Sequence, residues 1–461
     1  MFEVRGKKVL VMGLGLSGKA AYDALVSAGA SPAVYDSRDI EWEDPRFFKR
    51  VSNIGSDTYL NGRNPGGGKW DMVVMSPGVP PSDPVAKKAA ASGARVVGEL
   101  ELAYLMGKGA FIAITGTNGK TTTTALTGDI FKRSGRRAEI VGNIGKPVIT
   151  KALKADDDTW LVTEVSSFQL ETAPRFRPKI AAFLNLTPDH MDRHRTMKAY
   201  LAAKANITAN QKRNDFFVYN ADDPAVVKVA EGSGASLIPF SSSRELRKGI
   251  FVRGGEIVIA DRKGKRSSLL GASEVRIPGT HNLENALAAA GIGFAAGIDA
   301  SAIAKSLRLF KGVEHRLELV GSIEGVRFVN DSKGTNPDAS IKALEAMGES
   351  IILIAGGYDK NARFDALMAV AKGRVKRLLL LGATAEKMRA AAVKAGIENI
   401  DVVRNMGEAV RLGFENSRDG DTILLSPACA SWDMYANFEE RGKDFKKRVE
   451  ELRGADRDKD R

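Results

Sequence analysis

The feature that most constrains the fold of this 461-residue chain is an alternation of short apolar runs with helix-length segments, which restarts twice. The first series contains KVLVMG, SPAVYD, MVVMSPGV and ARVVGE, the second contains FIAIT, TWLVTEVSS and KIAAFLNLT, and the third contains VRFVNDS, SIILIAGG, RLLLLGA and TILLSPA. Strands that alternate with helices form parallel sheets with helices on their faces. The pattern predicts an α/β fold class with three tandem α/β domains, at residues 1–98, 99–312 and 313–461. The first and third are expected to be Rossmann-like, and the central one carries a phosphate loop.

Composition excludes several classes of protein. No run approaches the roughly 18 apolar residues of a membrane helix, and the basic, apolar N-terminus is interrupted by glycines, which favours a first strand over a signal peptide. The single cysteine, Cys429, excludes an internal disulfide framework and favours a reducing cytoplasm. The net charge of +13 is spread along the chain, and the tail from Glu439 has nine basic and eight acidic residues. We therefore expect no nucleic-acid partner and a solvated helix at the C-terminus.

A glycine-rich turn, Gly13-Leu14-Gly15-Leu16-Ser17-Gly18, follows the first strand, and Asp36 closes the next one. Such glycines let the backbone approach an anion at a helix N-terminus, and the carboxylate can accept a ribose hydroxyl or an imide N–H. The pattern favours a nucleotide-bearing ligand. A ligand-free tight turn is the alternative.

The segment TGTNGKTT, residues 115–122, directly follows the strand FIAI. Its backbone amides can surround phosphate, Lys120 supplies a positive charge, and the Thr121 hydroxyl can bind magnesium. Ile114 stands where an ordinary Walker loop has its first glycine, which argues against a common GTPase or motor. The segment predicts a phosphate loop.

A carboxylate and a histidine lie near this loop in sequence. Glu164 ends the strand LVTE, and His190 lies in NLTPDHMDRH, so the two could hold magnesium. The alternative for Glu164 is a cap on a helix beginning at Ser166.

Three polar loops follow strands of the third series: NDSKGTN from Asn330, GGYDK from Gly356 and SPACAS from Ser426. Open α/β sheets bind ligands at the carboxyl ends of their strands. Together the loops predict a binding cleft, in which Cys429 is a packed thiol and not a nucleophile.

The motifs TGTNGKTT, NLTPDHMDRH, HNLENALAA, HR and DSKGTN, in this order, resemble the Mur ligase superfamily, with folylpolyglutamate synthases as a related alternative. SSFQLE, NDSKGTN and LSPACASWDMYANFEERG are similar to the member that adds D-glutamate to UDP-N-acetylmuramoyl-L-alanine. The resemblance implies a cytoplasmic, monomeric, ATP- and Mg²⁺-dependent ligase of peptidoglycan synthesis, and thus of cell wall formation and cell division. It implies phosphoryl transfer to the substrate carboxylate, an acyl phosphate, and attack by the D-glutamate amine.

The resemblance also implies roles for individual residues. The UDP-substrate would contact Leu16, Ser17, Asp36, Ser37, Arg38, Gly78, Asn143, Ser166 and Gln169. ATP would contact Gly116, Thr117, Asn118, Gly119, Lys120, Thr121, Thr122, Asn285, Arg316 and Asp331. D-glutamate would contact Thr335, Lys360, Ser431 and Phe438. One magnesium would bind Thr121 and Glu164, and a second would bind His190 and a carbamylated Lys204. The catalytic residues would be Lys120, Glu164, His190 and Lys204.

Two other classes account for part of the sequence. A nicotinamide-dependent oxidoreductase explains the first glycine turn and Asp36 but leaves the phosphate loop unused. A regulatory or nucleic-acid-binding ATPase explains Lys120 and the charge but not DSKGTN or SPACAS.

Overall fold

The computed structural model describes residues 2–38, 41, 44–65, 69–277 and 279–457. The chain divides into two compact units. The first unit comprises Met1–Leu186, Lys198–Glu274 and Glu284–Arg308, and the second comprises Thr187–Met197, Val275–Leu283 and Leu309–Arg461. The described residues form three sheets with helices between their strands, which confirms the predicted fold class.

The first sheet lies in the first unit and is parallel throughout its described strands. Its strands are β1 (Lys8–Met12), β2 (Ser31–Tyr35), β3 (Thr58–Tyr59), β4 (Met72–Met75) and β5 (Arg95–Gly98), in the order β3-β2-β1-β4-β5. The helices of this region are α1 (Leu16–Ser27), α2 (Pro45–Ile54), α3 (Pro84–Ala91) and α4 (Glu99–Met106). Alternate residues of β1 enter two different apolar clusters, Val9 and Val11 in one, Leu10 and Met12 in the other. Both faces of the strand are therefore buried, which explains its unbroken apolar run.

The second sheet is also in the first unit. Its strands are β6 (Ala110–Thr115), β7 (Ala138–Gly142), β8 (Trp160–Glu164), β9 (Ile180–Phe183), β10 (Phe216–Asn220), β11 (Ser236–Ser241), β12 (Gly249–Arg253), β13 (Glu256–Ala260) and β14 (Arg266–Gly271), in the order β14-β13-β12-β11-β10-β9-β6-β8-β7. β12 and β13 form a hairpin, since they pair antiparallel across Gly254 and Gly255.

The helices that follow these strands include both short and long ones. They are α5 (Lys120–Arg133), α6 (Val148–Ala152), α7 (Ser167–Glu171), α8 (Met191–His194), α9 (Met197–Ala205), α10 (Pro224–Glu231), α11 (Thr280–Ala295) and α12 (Ala300–Leu309). α8 belongs to the second unit, and the division between the units passes through α9 and α11.

The third sheet lies in the second unit. Its strands are β15 (Glu318–Ile323), β16 (Val326–Asn330), β17 (Ile351–Ala355), β18 (Val375–Leu380), β19 (Ile400–Val402) and β20 (Thr422–Leu425), in the order β15-β16-β20-β17-β18-β19. Its helices are α13 (Pro337–Met347), α14 (Asp365–Ala371), α15 (Ala385–Ala395), α16 (Met406–Glu415) and α17 (Phe438–Arg457). β16, β20 and β17 are parallel neighbours, so the polar loops after them meet at one edge.

α1 begins at Leu16, directly at the glycine turn. The C-terminal helix is not solvated all round, because Arg441, Phe445 and Val449 are buried. The segment from Asn61 to Trp70 is rich in glycine, as loops are, and its residues 66–68 lie outside the described residues.

None of the described helices combines the length and the apolar composition that crossing a bilayer requires.

Candidate functional site

The first unit contains a pocket of about 500 Å³ at the carboxyl edge of the first sheet. Its lining includes six residues predicted for the UDP-substrate, namely Leu16, Ser17, Asp36, Ser37, Arg38 and Gly78. The glycine turn forms one wall, and Gly13 has a φ of 81° that favours glycine. Gly18 is required by packing, because a Cβ there would lie 1.9 Å from the Gly13 carbonyl oxygen.

Asp36 organises this pocket. Its carboxylate accepts the backbone N–H of Leu14 at 2.9 Å and the Arg38 Nε–H at 3.1 Å. Burial raises the pKa of Asp36, but the hydrogen bonds from Arg38 and from Leu14 outweigh burial and hold the pKa below its usual range. The pocket therefore offers a charged acceptor at its floor.

The phosphate loop joins β6 to α5. Gly119 precedes α5 with a left-handed φ of 84°, and a Cβ there would lie 2.1 Å from Asn285 Oδ1. Lys120 Nζ donates to the carbonyls of Gly116 and Thr117 at 2.9 and 2.8 Å. The lysine therefore lies against its own loop, and Asn285 lies beside Gly119 of that loop. Their contacts with ATP stay predictions.

Asn185 supports the same loop and was missed by the sequence analysis. Its side-chain oxygen accepts the Asn118 N–H at 2.9 Å, and its backbone carbonyl accepts the Thr117 N–H at 3.0 Å. The available signal was a polar residue two positions after the end of β9, in NLT.

Glu164 is buried at the end of β8, and its environment is that of a cation ligand. Oε1 accepts the Asn143 side-chain N–H at 2.9 Å, while Oε2 has no hydrogen-bond partner among the described residues. A buried carboxylate oxygen without a partner is costly, and a hard cation would satisfy it. Glu164 does not cap α7, because the Ser166 hydroxyl and the Gln169 side chain form a capping box there. The residues present therefore fit a magnesium ion.

Lys204 is 1% exposed, on α9. Its Nζ donates to the Gly116 carbonyl at 2.8 Å and lies 4.7 Å from the centre of the Tyr200 ring. The structure thus brings Lys204 to Gly116 of the phosphate loop. His190, its predicted partner, belongs to the second unit.

The second unit contains another pocket of about 500 Å³, at the carboxyl edge of the third sheet. Thr335 and Lys360, both predicted for D-glutamate, line it together with Asp189 and His190. Lys360 Nζ lies 3.8 Å from Asp189 Oδ1, and His190 Nε2 lies 3.7 Å from Asp189 Oδ2. The pocket thus combines a cation, a carboxylate and an imidazole, which suits a zwitterionic ligand.

The remaining predicted residues of the second unit are outside this lining. Ser431 is buried, and Phe438 lies under Lys333, whose Nζ is 4.2 Å from the ring centre. Asp331 accepts the Ser426 hydroxyl at 2.8 Å and lies 3.6 Å from Arg316 Nη1. Burial raises the pKa of Asp331 in spite of Arg316. Burial likewise raises the pKa of Cys429 to about 11, as expected of a packed thiol.

Comparison with known proteins gives matches along nearly the whole chain. Residues 7–98 match the Mur ligase MurD-like N-terminal domain, residues 114–293 the Mur ligase middle domain, and residues 315–429 the Mur ligase glutamate ligase domain. The chain belongs to the Mur ligase family.

Its curated relatives carry the name of one member of that family. A UDP-N-acetylmuramoylalanine–D-glutamate ligase of Clostridioides difficile is 46% identical and covers 98% of this chain and 100% of its own length. A protein of the same name from Pelotomaculum thermopropionicum is 47% identical, with 97% and 98% covered. Among solved structures, a MurF ligase from Thermotoga maritima in complex with ADP has the same fold, with a TM-score of 0.59 at 16% identity over 98% of this chain and 96% of that one.

Proposed function

We propose that this chain is an ATP-dependent ligase that adds D-glutamate to UDP-N-acetylmuramoyl-L-alanine in peptidoglycan precursor synthesis. The chain is 42–47% identical to curated ligases of this name. The observation that carries the proposal is that such a chain has a pocket suited to a nucleotide, a phosphate loop and a pocket suited to a zwitterion. The first pocket takes the UDP-substrate, the phosphate loop takes ATP, and the second pocket takes D-glutamate. We assign these roles to residues 1–98, 99–312 and 313–461.

The chemistry follows from the poor leaving group of a carboxylate. The substrate carboxylate attacks the γ-phosphorus of ATP, ADP leaves, and an acyl phosphate forms. The D-glutamate amine then attacks the acyl carbon and loses a proton, and phosphate leaves with its C–O bond broken. Lys120 and the loop amides orient the phosphates and offset their charge.

Magnesium would be held by the Glu164 carboxylate and the Thr121 hydroxyl, and when bound it would neutralise charge on the phosphates. Asn143 orients Glu164 through its 2.9 Å hydrogen bond. The second magnesium, with His190 and a carbamylated Lys204 as ligands, stays a prediction, as do the contacts of Asn143, Ser166, Gln169, Ser431 and Phe438 with substrates.

We expect Lys204→Ala to lose most ligase activity and to regain part of it with millimolar acetate or bicarbonate, because the missing group is a carbamate. Lys151→Ala is a matched control, since Lys151 pairs with Glu139 on the same unit. Full activity of Lys204→Ala would remove this lysine from the site.

The function itself is tested by ADP release. The purified protein is given ATP, Mg²⁺ and UDP-N-acetylmuramoyl-L-alanine, with D-glutamate or L-glutamate in parallel. We expect ADP release beyond one equivalent per enzyme only with D-glutamate. With ¹⁸O in the substrate carboxylate we expect one labelled oxygen in the phosphate. Formation of AMP, or label that stays wholly in the amide, would refute the acyl-phosphate route.

We also infer a cytoplasmic location, where ATP and nucleotide-linked precursors are available, and a monomeric state. Light scattering at the assay concentration tests the second point.

A further inference from the structure

Arg441 is a buried arginine that the proposed reaction leaves without a role. It lies in the first turn of α17 and is 2% exposed. Its Nε–H donates to the Ser332 hydroxyl at 3.0 Å, and Nη2 donates to the carbonyls of Ser332 and Cys429 at 2.8 and 3.1 Å. Nη1 donates to the Ala430 carbonyl at 3.3 Å.

These acceptors belong to two different loops of the third sheet. Ser332 follows β16, while Cys429 and Ala430 follow β20. The loop after β17 is joined to the same point, because the Tyr358 N–H donates to the Ala430 carbonyl at 2.9 Å. The guanidinium group therefore joins the loops after β16 and β20 directly, and the loop after β17 is joined to them through the Ala430 carbonyl. These loops form the edge where ligands of open α/β sheets bind.

The loops that Arg441 ties carry the second pocket. Cys429 lines that pocket, as do Thr335, three residues after Ser332, and Tyr358. Ser431, predicted for D-glutamate, follows Ala430 directly. A shift of the backbone at Ser332 or Ala430 would therefore move the pocket wall.

Arg441 also places a buried positive charge near the second pocket. All four hydrogen bonds end on neutral oxygens, and among the described residues no carboxylate lies within ion-pair distance of the guanidinium. Burial lowers the pKa of Arg441 to about 10, so it is still charged at neutral pH. Asp433 and Asp331 favour the charged form from beyond ion-pair distance. A buried cation without a direct ion pair attracts an anion bound close by more strongly than an exposed one would.

We propose that Arg441 is a positioning residue for the acceptor amino acid: it holds the loops after β16, β17 and β20 in register and supplies positive potential beneath the second pocket. The proposal rests on the function proposed above. An acceptor with two carboxylates is the ligand that such a site would favour.

The test compares Arg441→Lys, Arg441→Gln and the matched control Arg448→Gln. Arg448 lies two turns further along α17, partly exposed and paired with Asp444 and Glu451. KM for D-glutamate, KM for the UDP-substrate, kcat and circular dichroism are measured for each. Wild-type protein is assayed first, because absence of D-glutamate-dependent ADP release there refutes the proposed function and not the role of Arg441.

We expect KM for D-glutamate to rise about 10-fold in Arg441→Lys, which keeps the charge but has fewer donors, and about 100-fold or more in Arg441→Gln. KM for the UDP-substrate should stay within about twofold in both variants, and Arg448→Gln should match wild type. Equal increases in both KM values, or no increase in either, would overturn the proposal. So would loss of folded protein in both variants, since Arg441 would then serve the core alone.

Discussion

The first unit contains two glycine turns that start alike and differ in the charge around them. Each follows an interior strand of its sheet, β1 or β6, and each has a Gly-Lys pair near the start of the next helix, Gly18-Lys19 within the first turn of α1 and Gly119-Lys120 at the start of α5. A Cβ would clash at both glycines, at 1.9 Å for Gly18 and 2.1 Å for Gly119. Both positions therefore exclude a side chain, and Gly119 also has a left-handed φ of 84° that favours glycine.

The two lysines show the difference. Lys19 Nζ lies 2.7 Å from the Asp44 carboxylate, which neutralises it, and the first turn presents the carboxylate of Asp36 to its pocket. Lys120 donates to carbonyl oxygens of its own loop. A glycine pattern thus predicts where a backbone can approach a ligand, and the neighbouring charges decide which ligand it is.

The sharpest way to break this comparison is to remove each lysine. We expect Lys120→Ala to lower the ligation rate by about 10³-fold, because the positive charge of the lysine no longer stabilises the transferred phosphoryl group. The UDP-substrate should bind to it with unchanged Kd in calorimetry, since its pocket lies on the first sheet. Lys19→Ala is the control and should retain a rate within about threefold of wild type. Equal losses in both variants would mean that the two turns serve one ligand.

The glycines give the next largest effect. Gly119→Ala places a methyl group against Asn285 and forces a left-handed φ on alanine, so we expect KM for ATP to rise by about 30-fold or more. Gly15→Ala is the counterpart, because Gly15 has a φ of −73° and open space around its Cβ position. Gly15→Ala should change the KM for ATP and the KM for the UDP-substrate by less than about fivefold each. An unchanged KM for ATP in Gly119→Ala would show that this turn does not touch the nucleotide.

Asp36→Asn sharpens the comparison from the other side. The variant keeps the shape of the first pocket but loses a charged acceptor, so KM for the UDP-substrate should rise about 10-fold. KM for ATP should not move. The pKa of Asp36 is held below its usual range, so this carboxylate stays ionised from pH 6 to 8. Its ionisation should therefore add no pH dependence to the wild-type KM for the UDP-substrate in that range. A rise in KM for ATP would contradict the separation of the two turns.

The smallest expected effect concerns stability at the junction of the two sheets. Glu99 is buried at the start of α4 and accepts the Ile149 N–H of α6 at 2.7 Å. Burial raises its pKa to about 7, against the weaker effect of the Ile149 and Val148 amides. The folded state thus retains a proton that the unfolded state has lost, and the stability from Glu99 is full below about pH 4.5 and declines as the pH rises to about 7.

Glu99→Gln keeps the acceptor for Ile149 and removes the ionisation. At pH 8 we expect the unfolding temperature of the variant to lie a few degrees above that of wild type, which corresponds to an increase of roughly 1–3 kcal/mol in the free energy of unfolding. At pH 5 the difference should be smaller. Differential scanning calorimetry at both pH values measures this, with the exposed Glu231→Gln as control. A difference that does not depend on pH would exclude the ionisation of Glu99 as its cause.

Much of the fold was predictable because it rests on local signals. The strands β1, β6, β16 and β20 appear in the sequence as apolar runs, since both faces of their sheets are buried and no alternation survives. The edge strands β3, β15 and β19 were not predicted, because an exposed edge strand needs few apolar residues and is defined by its neighbour.

The candidate site divides in the same way. Loops directly after predicted strands could be located from the sequence, which is why Asp36, the phosphate loop, Thr335 and Lys360 were found. Asn185, Glu99 and Arg441 could not be, because their roles come from partners 50 to 109 positions away in the chain. A charged helix such as α17 has the same composition whether all of its charges face water or one of them is buried.

The sequence by itself therefore determined the α/β fold class, the order of the apolar strands and the positions of the glycine-rich loops, because local backbone geometry and burial period decide these. Only the tertiary structure decided which charges are paired and which are not. Lys19 meets Asp44, Glu164 has one oxygen without a partner among the described residues, and Arg441 is buried among neutral oxygens. Burial and distance govern the free energy of a charge, and neither is a property of the residue type alone.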